Sequence, residues 1–148
     1  LPSLLIYPHI QKYQKLIDLG TGGGFPGLAL AIVDGSKQWD LVEKSPKKCA
    51  FLRHVLQKLG LKNVKIHNKD FNQMPVDKSV DVIITRGSCK LPMQMQITKP
   101  WREQGVPLLS IQSVESIQGF SLHKTIMQHN LSYVQQDKPL KLLIIPQV

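Results

Sequence analysis

The sequence predicts an α/β fold, in which short β-strands alternate with helices along the chain. Three stretches carry that prediction. Leu16 to Leu19 reads as a short buried strand, apolar except for Asp18, that breaks into Gly20-Thr-Gly-Gly-Gly-Phe-Pro-Gly27 and is followed by the helical run Leu28 to Val33, giving a strand, turn and helix unit. Trp39 to Glu43 is a second strand, followed by a well-signalled helix. Val80 to Thr85 is apolar or β-branched at every position except Asp81, which marks a strand lying centrally beside the first.

The elements follow in order. Leu1 to Tyr13 is an apolar lead-in, and Pro2 and Pro8 argue for a broken helix or turn packed on the core. It starts at a bare leucine, so an N-terminal segment is expected to be missing. Pro26 sets φ for a first helical turn, and Asp34-Gly35 stops that helix. The next helix has Ser45 as N-cap, Pro46 in its first turn and Gly60 just past its end, with Leu52, Val55, Leu56 and Leu59 as the expected buried stripe. Asn63 to Asn68 alternates like a third strand. In the last third, Met93 to Gln104 reads as a helix, Val106 to Ile111 as a fifth strand and Glu115 to Asn130 as another helix with a break at Gly119. Leu131 to Gln135 and Leu140 to Ile145 read as a terminal hairpin.

At 148 residues and 42% hydrophobic content, one domain spanning 1–148 is expected. No apolar run approaches the ~20 residues that span a bilayer, and the start lacks a signal peptide's layout, so a soluble, cytoplasmic chain without membrane contact is expected. Cys49 and Cys89 are too few for a disulfide scaffold and share no metal spacing with histidine; Cys49 is expected to pack as a small apolar residue, and no metal is expected. Lys and Arg outnumber Asp and Glu by 19 to 10, a net charge of +9. That balance implies a polyanionic partner, with RNA or DNA leading, although lysines also serve merely to solubilise a surface.

The glycine turn allows two frames. Gly22, Gly24 and Gly27 satisfy Gly-x-Gly-x-x-Gly, the dinucleotide pattern that an NAD-dependent oxidoreductase would use. Read from Asp18, the same stretch is acid-x-Gly-x-Gly-x-Gly, and an acid at the strand end suits a ligand with an ammonium group while repelling a diphosphate. This frame favours S-adenosylmethionine and assigns Asp18, Gly20, Thr21, Gly22 and Gly24 to the cofactor, the glycines admitting it and Asp18 orienting its amino-acid end directly or through the turn. Glu43, at the end of the second strand, is placed for ribose hydroxyls. Asp70 and Phe71 could flank the adenine, although Phe71 fits ordinary core equally well. Lys47 and Lys48 oppose the dipole of the helix they begin, at a cost of a few tenths of a kcal/mol each, which suits a phosphate contact or, equally, a solvated helix end. Arg86 emerges at the carboxyl end of its strand, the edge where open parallel sheets bind ligands; it is a candidate for cofactor or RNA. His67 reads as a strand-face residue.

Taken together, Asp18-Leu-Gly-Thr-Gly-Gly-Gly-Phe-Pro-Gly27, Glu43-Lys-Ser-Pro-Lys-Lys48, Phe51-Leu52 and Thr85-Arg86-Gly87 resemble the glucose-inhibited division protein B family, bacterial small-subunit ribosomal RNA methyltransferases. The Gly-Phe-Pro-Gly continuation is the specific part. The resemblance implies a class I methyltransferase fold (Rossmann-like), a mostly parallel sheet with helices on both faces. It implies methylation of N7 of a guanine in 16S rRNA from S-adenosylmethionine, with 16S rRNA or the small ribosomal subunit as partner of a monomer. Guanine N7 carries a free lone pair, so no catalytic acid or base is required and none is assigned. The chain also departs from the family pattern. Thr85-Arg86-Gly87 replaces Ser-Arg-Ala, Leu109 to Ser113 lacks an expected lysine, Leu140-Lys141 stands where an arginine is common, and Pro2-Ser3 stands where an Asp-Ser pair is usual. These departures keep a second reading open, a divergent or truncated relative that binds cofactor or RNA without turnover.

Overall fold

The computed structural model describes residues 2–131 and 139–147. Seven strands form one sheet in the order β3-β2-β1-β4-β5-β7-β6. They are β1 (Lys15–Leu19), β2 (Gln38–Glu43), β3 (Val64–Asn68), β4 (Val82–Arg86), β5 (Leu108–Ser113), β6 (Met127–Leu131) and β7 (Leu140–Ile145). The first five in sequence pair in parallel: Leu16 faces Trp39 on one side and Val82 on the other, and Ile83 faces Leu108. β7 then runs antiparallel between β5 and β6. The run Lys15–Leu19 thus lies centrally, with β4 beside it as expected.

Two apolar layers flank the sheet. On one face the short helix α1 (Tyr7–Ile10), α2 (Gly27–Val33) and α3 (Pro46–Leu59) contribute Ile10, Leu28, Leu30 and Leu52 to a core with Leu16, Leu41 and Val82. On the other, α4 (Leu91–Glu103) and α5 (Val114–Ile117) bring Leu91, Trp101 and Ile117 against Ile17, Val42 and Ile83. Helices therefore cover both faces. The lead-in folds as a 3-10 turn over Pro2–Ile6 followed by α1, and it is held by the buried Lys37, whose Nζ donates to the carbonyls of Gln11 and Tyr13. The Asp81 carboxylate accepts from the backbone N–H groups of Gln14 and Lys15, each at 2.8 Å, fixing the start of β1 against β4.

Three expectations change. Glu115 to Asn130 is not one helix: α5 ends by Ile117, Gly119 takes φ +82°, and Met127–Leu131 is the edge strand β6. Its register comes from pairing with β7, Met127 to Ile144 and Leu131 to Leu140, a partner thirteen or more residues away at most positions of the ladder, so no local period announces it. The described part of the hairpin's first strand is Met127–Leu131; residues 132–135 of the expected strand Leu131 to Gln135 lie outside the described residues. Leu59 leaves the stripe of α3, being 54% exposed, while Leu61 beyond the Gly60 cap packs on the core. Cys49 is buried, and its thiol donates to the Glu43 carbonyl at 3.2 Å.

Candidate functional site

At the carboxyl end of β1 the chain leaves the sheet with Gly20 in the left-handed region and rejoins β2 through one bond, Thr21 N–H donating to the Val42 carbonyl at 3.1 Å. Inside the turn sits Asp18, fully buried. Its Oδ2 accepts from Thr21 Oγ1 at 2.7 Å and from Gly27 N–H at 2.8 Å, so one carboxylate oxygen clamps both ends of the turn, while Oδ1 has no hydrogen-bond partner among the described residues. Burial pushes the Asp18 carboxyl up to about 7; the bonds from Thr21 and Gly27 pull in the other direction, and the negative charge of Glu43 adds a little to the rise. Asp18 thus acts on any ligand through the turn.

Glu43 works from the outside of the same turn. Its Oε2 accepts from Gly22 N–H and its Oε1 from Ser45 N–H, both at 2.9 Å, which ties the glycine turn to the N-terminus of α3. Each oxygen retains a second lone pair for a ligand hydroxyl.

The glycines divide by what surrounds them. At Gly22, φ is +59° and a Cβ would meet nothing closer than the Gly20 carbonyl oxygen at 4.0 Å, so the position faces open space. At Gly24 a Cβ would come within 2.8 Å of Leu28 Cβ and 3.1 Å of Leu52 Cδ2, so the missing side chain makes room for the core beneath α2 and α3. Gly24 therefore differs from its expected place at the ligand.

A cavity of about 650 Å³ opens at the carboxyl ends of β1, β2 and β4. It brings together Gly20, Thr21, Gly22, Glu43, Asp70, Phe71 and Arg86 from the candidates, together with Lys48. Gly24 and Lys47 do not line it, and Asp18 lies behind it. Phe71 is only 6% exposed and stacks at a tilt on Trp101 with ring centroids 5.7 Å apart, so it belongs to the core as much as to the cavity wall. Asp70 caps the 3-10 turn Phe71–Gln73 through Asn72 N–H at 3.0 Å. Arg86 is exposed and, among the described residues, makes no side-chain hydrogen bond or ion pair. It also borders a neighbouring hollow of about 440 Å³ walled by Gln112, Ser113 and Ser116.

Sequence reasoning missed Lys44, Lys69, Ser88 and Met93 on the cavity wall. Lys69 and Lys44 adjoin residues that were chosen, and Ser88 follows the Arg86 strand end, so the rule that strand carboxyl ends carry ligands would have reached all three. Ser88 also seals the turn. Its Oγ shares a hydrogen bond of 2.8 Å with Thr85 Oγ1, which donates to the Leu19 carbonyl, and its Cβ fills the place a Gly20 side chain would take. In place of the lysine expected in Leu109 to Ser113, Ser110 and Gln112 of β5 form a buried neutral network with Gln94 of α4, with Ser110 Oγ donating to Gln94 Oε1 at 2.6 Å. His67 pairs with Asp40 at 2.7 Å. Among the described residues no group of three or more His, Cys, Asp or Glu is gathered to hold a metal, and no helix is long and apolar enough to cross a membrane.

Comparison with known proteins places this geometry. The family model GidB, described as rRNA small subunit methyltransferase G, matches residues 1–137. A Ribosomal RNA small subunit methyltransferase G from Magnetococcus marinus is 38% identical over 112 residues, 74% of this chain and 51% of that protein. One from Nitrosomonas europaea is 33% identical over 99 residues, 67% of this chain and 46% of that protein. The chain spans about half the length of the curated relatives it matches. Among solved structures, the S-adenosylmethionine-dependent methyltransferase SibL in its apo form aligns with a TM-score of 0.73 at 13% identity, over 99% of this chain and 54% of that one. A SAM-dependent O-methyltransferase from Thermotoga maritima aligns with a TM-score of 0.66 at 16% identity, over 97% and 64%. At these identities the solved structures speak for the fold, a class I Rossmann-like sheet.

Proposed function

The chain belongs to the GidB family, rRNA small subunit methyltransferase G, and from that premise we propose that it transfers a methyl group from S-adenosylmethionine to N7 of a guanine in 16S rRNA. The observation that carries the reading is the cavity at the carboxyl edge of β1, β2 and β4, with the open Gly22 on its floor, carboxylates within and cations at its rim. Its volume lies inside the range of about 300–1,000 Å³ that small-molecule sites occupy.

The residues fit this cofactor better than a dinucleotide. In its ionised form the buried Asp18 puts negative potential behind the turn, which opposes a diphosphate, while Glu43 serves a ribose in either cofactor class and does not choose between them. In the proposed arrangement Gly20, Thr21 and Gly22 let the ligand reach the backbone, Glu43 accepts from ribose hydroxyls, and Asp70 and Phe71 border the adenine. Gly24 and Asp18 act indirectly by shaping the turn. When bound, S-adenosylmethionine supplies an electrophilic methyl on a positively charged sulfur. A guanine N7 lone pair would need no deprotonation to accept that methyl as its bond to sulfur breaks, so the protein's task is alignment and exclusion of water. Arg86 and Lys48, exposed at the rim, contact the RNA near the target base; Lys47, one residue outside the cavity, adds a more distant phosphate contact. We further propose that the chain acts as a monomeric domain on the small ribosomal subunit in the cytoplasm.

A second reading, binding without turnover, is favoured by the neutral Gln94, Ser110 and Gln112 network in place of a lysine. One experiment separates the two. Purified protein is incubated with labelled S-adenosylmethionine and small subunits or 16S rRNA lacking the modification; labelled 7-methylguanine in the rRNA supports turnover, and cofactor binding without label transfer supports the second reading.

A further inference from the structure

The strands β1 to β2 and β2 to β3 are each joined through an α-helix, but β3 reaches β4 through only the 3-10 turn Phe71–Gln73 and an irregular segment. The sheet face turned away from α2 and α3 is consequently open near β2 and β3. Strand alternation puts Asp40, Lys65 and His67 on that face, opposite to Leu41, Val64 and Ile66, which pack in the layer under the helices. A groove of about 560 Å³ runs there between the sheet, the segment from Met74 to Val80 and Trp101.

Its charge is one-sided. Four lysines line it against two aspartates, and both aspartates are engaged: Asp77 with Lys15 Nζ at 2.8 Å and Asp40 with His67 at 2.7 Å. The side chains of Lys62, Lys65 and Lys69 have no hydrogen-bond or ion-pair partner among the described residues. The three form a row along β3, with Lys62 just before the strand, Lys65 on it, and Lys69 just beyond it at a bend where its N–H donates to the His67 carbonyl at 3.1 Å. Such a row matches a strand of phosphates rather than one small anion. The two tryptophans lining the groove, Trp39 and Trp101, are each 2% exposed, so neither indole face is free for base stacking, which favours contact with the backbone. Lys69 also lines the cavity at the glycine turn, so groove and cavity share a rim.

We propose that this groove holds the phosphate backbone of the substrate RNA at a distance from the target base, a second contact that rests on the rRNA reading above. It would position the rRNA so that one nucleotide enters the cavity while the flanking strand follows β3.

The test compares wild type, the double variant Lys62→Gln/Lys65→Gln and a charge-matched control, Lys58→Gln/Lys124→Gln, whose exposed lysines line no described cavity. Binding to unmodified 16S rRNA transcript is measured from about 50 to 200 mM salt, with S-adenosylmethionine titrations alongside. The groove variant is expected to bind RNA more weakly, with a plot of log K against log salt shallower by about 1.4 to 1.8, and to keep its cofactor affinity. Wild type binding and methylating the rRNA while the groove variant retains the wild-type slope, or the control losing as much as the groove variant, overturns the groove alone. Wild type failing to bind 16S rRNA overturns the rRNA reading and this proposal with it.

Discussion

Replacing Asp18 by asparagine removes a titratable group while keeping an oxygen that can accept from Thr21 and Gly27. The carboxyl is fully buried, one of its oxygens is unpartnered, and burial raises it from 3.8 to about 7. In the unfolded chain it ionises near its ordinary value. Between those values the folded state holds a proton that the unfolded state has lost, so stability falls as pH rises; below 3.8 the contribution is fully present, and above about 7 it is gone. A shift of about three units corresponds to a change on the order of 4 kcal/mol, at most about 1.4 kcal/mol per pH unit. Urea unfolding of both proteins at several pH values from 4 to 8 reads it directly. The asparagine variant carries a constant penalty from an amide nitrogen without a partner, so the informative quantity is the difference between the curves. Wild type should lose stability relative to the variant as pH rises from 4 to 7, by on the order of 4 kcal/mol. Parallel curves would refute the reasoning, because they would mean that Asp18 ionises alike in both states.

Two other changes test the division of labour around the cavity. Gly24→Ala drives a Cβ against Leu28 at 2.8 Å and should destabilise by about 1–3 kcal/mol in thermal or urea unfolding, as overpacked cores do; unchanged stability would contradict its assignment to the core. Arg86→Ala touches an exposed residue, so stability should stay within about 0.5 kcal/mol, while the salt dependence of 16S rRNA binding becomes shallower by about one unit of slope. A lost fold, or an unchanged slope, would remove Arg86 from the RNA contact.

The parallel half of the fold was legible because each element announces itself locally. Leu16 to Leu19 is apolar except for Asp18, Ser45-Pro46 and Gly60 bound α3, and Val82 to Thr85 form a β-branched and apolar run. The antiparallel half was not, since Met127–Leu131 owes its strand to β7 and shows mostly exposed side chains that fit a helix surface as well. At the site, Gly22 and Glu43 could be read from spacing, but Gly24 could not be told from Gly22 in sequence. What separates them is whether Leu28 and Leu52 or open space lies beyond the Cα, a fact of packing. The Phe71 ring met the same difficulty, because only the fold places it against Trp101. The open groove beside β3 was invisible for a related reason: a short connection leaves no positive signal of the face it fails to cover.

The central claim is that the cavity over Gly22 holds a sulfonium methyl donor rather than a dinucleotide. Calorimetric titration of wild type and Gly22→Val with S-adenosylmethionine and with NADH tests it most directly, with circular dichroism to check that the variant keeps its fold. The account predicts that wild type binds S-adenosylmethionine and not NADH, and that Gly22→Val stays folded but loses binding. Tight NADH binding by wild type, or undiminished S-adenosylmethionine binding by a folded Gly22→Val, would contradict it.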